Sequence, residues 1–177
     1  MIWFPWNRVL ARLLTKRGVD AVIGKYLALY EKGAYREAYA ALQTIMRDYP
    51  HVCQVGDVYV ACVNLELTLN DDIAKAGELL NTALRLGCAD MAAYYRASGY
   101  VFLWAGDHEA GIRDLEKAVA LEPSVQNLVL FASLLTSAGD KRAADICQQV
   151  LQQEPQNCRA HVCLGVLAAK AGDSNKA

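Results

Sequence analysis

The 177-residue chain has only four prolines, no excess of either charge (18 basic against 19 acidic side chains) and no long apolar run. Scarce proline and the lack of sustained β-branched alternation argue against an all-β fold. Balanced charge argues against a general nucleic-acid binder, whose affinity rests on neutralising phosphates. No uninterrupted apolar stretch reaches the roughly 18–20 residues that a membrane span needs. The six cysteines (Cys53, Cys62, Cys88, Cys147, Cys158, Cys163) form no CxxC pair, and no secretory leader pattern opens the chain. Reduced thiols packed as small hydrophobes, and a cytoplasmic address, are the expectation. What is present is an apolar fraction of 54%, which excludes intrinsic disorder. The length fits one compact unit or one short repeat array.

Catalytic signatures are also missing. There is no serine elbow, phosphate-cradling glycine loop or zinc-protease helix motif. His161 and Cys163 stand two residues apart, so on a helix they face nearly opposite ways and cannot share an ion. His108 sits just after a glycine-aspartate pair, where packing or a surface role is expected. Asp71-Asp72 reads as helix capping, and Asp114 with Glu116 reads as a solvated face. The expectation is a non-enzyme with neither metal nor cofactor.

The positive signal is a repeat. Gly106-Asp107, Gly139-Asp140 and Gly172-Asp173 recur every 33 residues, and Gly33 lies 73 residues before Gly106, two repeats plus a few extra positions. Five residues after these glycines stand Ala38, Gly111, Ala144 and Ala177. Seven residues before them stand Tyr26, Gly99, Ala132 and Gly165. Pro50, Pro123 and Pro155 close the units. Ala92–Ala105 and Ala160–Ala171 read as helices. A glycine can end one helix in the left-handed conformation, and the aspartate can cap the next. Small residues on either side of the turn let two antiparallel helices approach closely. Each unit is a helical hairpin with an apolar face that needs a stacked neighbour.

These residues resemble the tetratricopeptide repeat (TPR) family over about residues 19–177. Tyr95, Gly99, Phe102, Gly106-Asp107, Gly111, Leu115, Ala118, Leu121 and Pro123 follow its pattern almost throughout. Leu128, Phe131, Ala132, Leu135, Gly139-Asp140, Ala144 and Pro155 form a copy one residue short in its second half. Val22, Gly33, Tyr35, Ala38, Leu42, Ile45 and Pro50 form another. Val60, Val63, Leu67, Ala76, Leu80 and Ala83 form a weaker copy, with Asn70-Asp71-Asp72 in place of Gly-Asp. The resemblance implies an all-α, right-handed superhelix of antiparallel helix pairs, with four full repeats, a truncated fifth and an extra N-terminal helix. It also implies a non-catalytic protein-binding scaffold or adaptor. Extra residues at His51–Asp57 are expected to disturb the stacking locally, and an apolar face on Leu164, Val166 and Leu167 is expected to lack cover.

In such a fold the first helix of each pair lines the concave side. One stripe runs through Arg96, Tyr100 and Trp104, with Val129, Ser133 and Ser137, then Val162, Val166 and Lys170, at successive 33-residue steps. Its earlier members are Ile23, Leu27 and Glu31, then Ala61, Leu65 and Leu69. The expected partner-binding residues are Ile23, Leu27, Leu65, Arg96, Tyr100, Trp104, Val129 and Ser133. Apolar early positions exclude the clamp of lysines, asparagines and arginine with which TPR co-chaperones grip a terminal carboxylate. An extended or helical peptide fits better, with Arg96 or Arg159 meeting an acidic group.

Residues 1–18 stand apart as an amphipathic helix or cap, opened by Pro5. Packing on the first repeat is one expectation. Contact with a partner or a membrane surface through Trp3, Phe4, Trp6, Arg8 and Arg12 is the other. Two alternatives accompany the adaptor reading: a chaperone of a secreted or assembly substrate, similar to small type III secretion TPR chaperones, and a homo-oligomer joined through the C-terminal repeat.

Overall fold

A computed structural model of the chain describes residues 17–48 and 56–174. Among them no strand occurs. Nine helices follow one another: α1 (Arg17–Glu31), α2 (Tyr35–Asp48), α3 (Gly56–Asn70), α4 (Ile73–Leu86), α5 (Met91–Ala105), α6 (His108–Leu121), α7 (Val125–Ala138), α8 (Ala143–Gln153) and α9 (Cys158–Ser174). The expected all-α array of helix pairs is therefore present as α1/α2, α3/α4, α5/α6 and α7/α8, with α9 as the first helix of a fifth. The expected N-terminal helix, with Trp3, Phe4, Trp6, Arg8 and Arg12, lies outside the described residues, as does most of the 51–57 join.

The repeated glycine builds the same turn each time. Gly33, Gly106 and Gly139 have φ of 75°, 77° and 73°. In each turn the next residue's N–H reaches five residues back: Ala34 to Leu29 O at 2.9 Å, Asp107 to Phe102 O at 3.0 Å, Asp140 to Leu135 O at 2.9 Å. These bonds satisfy carbonyls that the helix end would leave unpaired. Asp107 then caps α6 through Ala110 N at 3.0 Å. In the weaker copy Asp71 takes the left-handed role at φ 54°, and Asp72 caps α4 through Lys75 N at 2.8 Å. Asp140 instead binds the Arg142 backbone and guanidinium, so α8 starts late and is 11 residues long. Gly172-Asp173 departs from the pattern: α9 runs through it to Ser174.

Two compact units make up the chain, one ending at Ala97 and the other beginning at Ser98, inside α5. In the first, α1 packs on α2, α2 on α3 and α3 on α4, around Leu42, Ile45, Val58, Val63 and Leu67. Three charged groups are enclosed there: Asp57, Glu66 and Arg96. Glu66 accepts from the Tyr39 hydroxyl and from Asn70 Nδ2. Asp57, fully buried, accepts from the backbone N–H groups of Ala89 and Asp90, each at 3.3 Å. It thereby ties the start of α3 to the start of α5.

In the second unit α7 packs on α6, α8 and α9. Leu115, Leu130, Phe131, Leu134, Leu135 and Ala143 form one cluster, and Leu128, Ala132, Cys147, Val150, Ala160 and Cys163 another. Cys147 and Cys163 pack as hydrophobes, and burial pushes the Cys147 thiol up to about 11. The small positions work by contact distance. A Cβ on Gly99 would stand 2.5 Å from Leu115 Cγ, and one on Gly111 would stand 2.7 Å from Leu134 Cδ2. Gly165, at the same phase as Gly99, has nothing within 4 Å of such a Cβ.

Gly99→Ala is expected to destabilise the fold by about 1–3 kcal/mol through overpacking. Gly165→Ala should stabilise it by roughly 0.5–1 kcal/mol, as alanine does inside a helix; denaturant titration of both variants checks the pair. A second expectation follows at Asp71, whose left-handed backbone is strained for a residue with a Cβ. Asp71→Gly should raise stability by about 1 kcal/mol, read as a higher thermal midpoint.

Burial raises the Asp57 carboxyl, with the Asp90 carboxylate adding to the shift and the Ala89 and Asp90 N–H groups opposing it. Cys88 is the other titratable neighbour. A raised carboxyl holds its proton longer in the folded state than in the unfolded one. Its contribution therefore weakens as pH climbs from the ordinary carboxylate range through the raised value. Asp57→Asn should flatten that part of the stability–pH curve.

Candidate functional site

The two helices of each pair divide the charge between them. Second helices carry exposed ions: Arg36, Glu37, Arg47 and Asp48 on α2; Lys75, Glu78 and Arg85 on α4; Glu109, Arg113, Glu116 and Lys117 on α6. Several pair along or between elements, as in Lys75–Glu78 at 2.8 Å and Arg142–Glu116 at 2.6 Å. First helices differ from α3 to α7, although α1 exposes Lys25 and Glu31 and α9 exposes Arg159 and Lys170. The charged residues of α3, Asp57 and Glu66, are buried, as is Arg96, the sole charge on α5. Helix α7 contains no charged residue at all.

The expected stripe is therefore uncharged along α7 and carries exposed Lys170 at its α9 end, and its openness differs between the units. In the first unit Leu65 and Ala61 are buried, Arg96 is 5% exposed and Leu27 is half-buried. Leu65 and Arg96 thus support the surface from within. Ile23 falls on α1, before the first residue whose side chain is described. In the second unit Tyr100 is half-buried against the Leu115–Leu130–Leu134 cluster. It meets Trp104 edge to face at 6.2 Å. Trp104 is 41% exposed, Val162 63% and Val166 40%; Val129 and Ser133 are half-buried. Trp104, Val162 and Val166 are thus the open apolar members. The face expected to lack cover is corrected in part: Leu164 and Leu167 pack into the two clusters, and Val162 joins Val166 as the exposed residue.

Hydrogen bonding on this surface is directed inward. Ser133 Oγ donates to Val129 O at 2.8 Å and Ser137 Oγ to Ser133 O at 3.1 Å. Lys170 Nζ donates to Thr136 O at 3.1 Å, so a cation from α9 meets the carbonyl end of α7. His161 Nε2 lies 2.9 Å from Pro155 O. Among the described residues no three His, Cys, Asp or Glu side chains converge as a metal site, and no helix is long and apolar enough to cross a membrane. The Asp57 tie and the Glu66 cluster were not legible beforehand, since each joins residues at least 27 positions apart.

No family model and no curated protein matches the sequence. Solved structures do. The TPR protein TTC0263 of Thermus thermophilus superposes with a TM-score of 0.67 at 18% identity, over 92% of this chain and 87% of that one. YrrB, described as a TPR protein with an unusual peptide-binding site, gives 0.61 at 17% identity, over 96% and 84%. MamA from Desulfovibrio magneticus RS-1 gives 0.59 at 20% identity, over 86% and 85%. Helix pairing, glycine turns and these superpositions agree: the chain has the tetratricopeptide repeat fold.

Proposed function

We propose that the chain is a non-catalytic scaffold that holds a segment of another protein on its first-helix surface. The observation that carries this reading is the open stripe of the second unit, where Trp104, Val162 and Val166 are exposed and α7 carries no charge. Leaving large apolar side chains in water gains nothing for folding, and exposed patches of this kind mark interaction sites. Tryptophan and tyrosine are also the residue types that dominate binding hot spots. The peptide-binding site named for YrrB supports the same use of the fold. A cytoplasmic adaptor is the role that fits these features. A chaperone of a secreted or assembly substrate would use the same stripe, and self-association would use Val162 and Val166 on α9.

The test uses Trp104→Ala, whose side chain is open enough to remove without leaving a core cavity. Arg96 is unsuitable, because a glutamate there would bury a carboxylate. Affinity capture with the full chain should lose its specific co-eluting protein by about tenfold in Trp104→Ala, the scale of a 1.4 kcal/mol hot spot. Circular dichroism should be unchanged. Equal capture by both proteins would remove the stripe from the binding surface.

A further inference from the structure

We infer that Cys147 and Cys163 are the two halves of a reversible disulfide that staples α9 to α8, an inference about the second unit that does not depend on the scaffold reading above. The two side chains come from neighbouring helices, α8 and α9, which pack directly on each other. They meet in one buried cluster with Leu128, Ala132, Val150 and Ala160. Cys147 is fully buried and Cys163 is 6% exposed. Burial first, then the charge and hydrogen bonding of the Cys163 thiol, push the Cys147 thiol up, so the two sulfurs are neighbours within the cluster. The other described thiols are placed otherwise. Cys62 lies against Met46 Sδ and Cys88 against Ala83 O, both in the first unit. Cys158 is exposed on the first turn of α9. It stands five residues before Cys163 on the same helix, and the two therefore point about 140° apart around the axis.

A thiol pair held together by a folded core closes more readily than the same pair in a loose chain, because packing has already brought the reacting atoms together. The oxidant is a low-molecular-weight disulfide such as oxidised glutathione. Cys163 is the more accessible sulfur. As a thiolate it attacks the small disulfide, taking one sulfur into a mixed disulfide while the other leaves as a thiolate. The Cys147 thiolate then attacks the Cys163 sulfur and expels the second small thiol. Two protons leave the protein cysteines and two electrons pass to the small disulfide. The products are one protein disulfide and two small thiols. Burial slows this chemistry, since only the thiolate attacks and a buried thiol resists ionisation. The pair therefore stays reduced in a thiol-rich compartment and closes when the pool turns oxidising. Closing a loop of about 16 residues removes freedom from the unfolded chain. It also holds α9, with the exposed Val162 and Val166, in its docked register.

The test uses the full chain carrying Cys158→Ser, a change at an exposed position. The protein is incubated with oxidised glutathione at about pH 8.5, where thiols begin to ionise, then alkylated and digested with trypsin. Cleavage after Arg142, Arg159 and Lys170 separates Cys147 from Cys163, and the Cys158 change leaves one thiol in each fragment. The disulfide-linked pair of these fragments is expected in native buffer at least about tenfold over any other cysteine pairing, whereas in denaturant the pairings should scatter. The oxidised protein should unfold at a thermal midpoint about 5–10 °C higher, and dithiothreitol should return it to the reduced value. Adding Cys147→Ala should abolish the oxidative rise. Absence of the Cys147–Cys163 link from the native protein, or the same scattered pairings with and without denaturant, would overturn the inference. A link that forms and leaves the midpoint unchanged would overturn the staple.

Discussion

The close approach of antiparallel helices at the small positions is the constraint on which the rest of the structure depends. Where Gly99 meets Leu115 and Gly111 meets Leu134 there is no room for a Cβ. That contact fixes the rotation of the two helices about their axes, and so decides which face of the first helix turns inward. The left-handed glycines supply the reversal that makes the contact reachable. Once the rotation is fixed, Leu115, Leu130 and Leu134 share one cluster, and Trp104 falls on the opposite, open side.

The segregation of charge follows from the same geometry. Second helices alternate ions with core residues and hold local pairs such as Lys117–Asp114, each worth little on its own at the surface. Helices α3 and α5 bury the charge they have, whereas α1 exposes Lys25 and Glu31. Burying Asp57 and Glu66 is costly unless their oxygens are satisfied, and both are, by backbone N–H groups in one case and side-chain donors in the other. The ions that remain exposed on α9, Arg159 and Lys170, sit at the margins of a neutral surface.

Local features were readable from the chain, and features set by distant packing were not. The turns at Gly33, Gly106 and Gly139 could be placed because each rests on one left-handed glycine at a fixed phase, with a capping aspartate adjacent at Gly106. Helix pairing followed from their spacing. One departure arises from local chemistry that composition does not weigh: Asp140 commits its carboxylate to Arg142, and α8 is short. The stripe was legible as a register, but the exposure of its members was not. Leu65 and Val166 occupy equivalent faces, and only the packing around each makes one buried and the other open. The tie from Asp57 to the start of α5 likewise joins residues 32 and 33 positions apart, so no short window reveals it.

Whether partners meet the first helices can be measured directly by site-specific photocrosslinking. Benzoylphenylalanine placed at Trp104 or Val166 is on the neutral stripe, and at Arg113 it is on the exposed charged face of α6. Adducts to a partner protein from positions 104 and 166, with none from 113, are the expected result. Adducts from 113 alone would place recognition on the second helices and contradict the account.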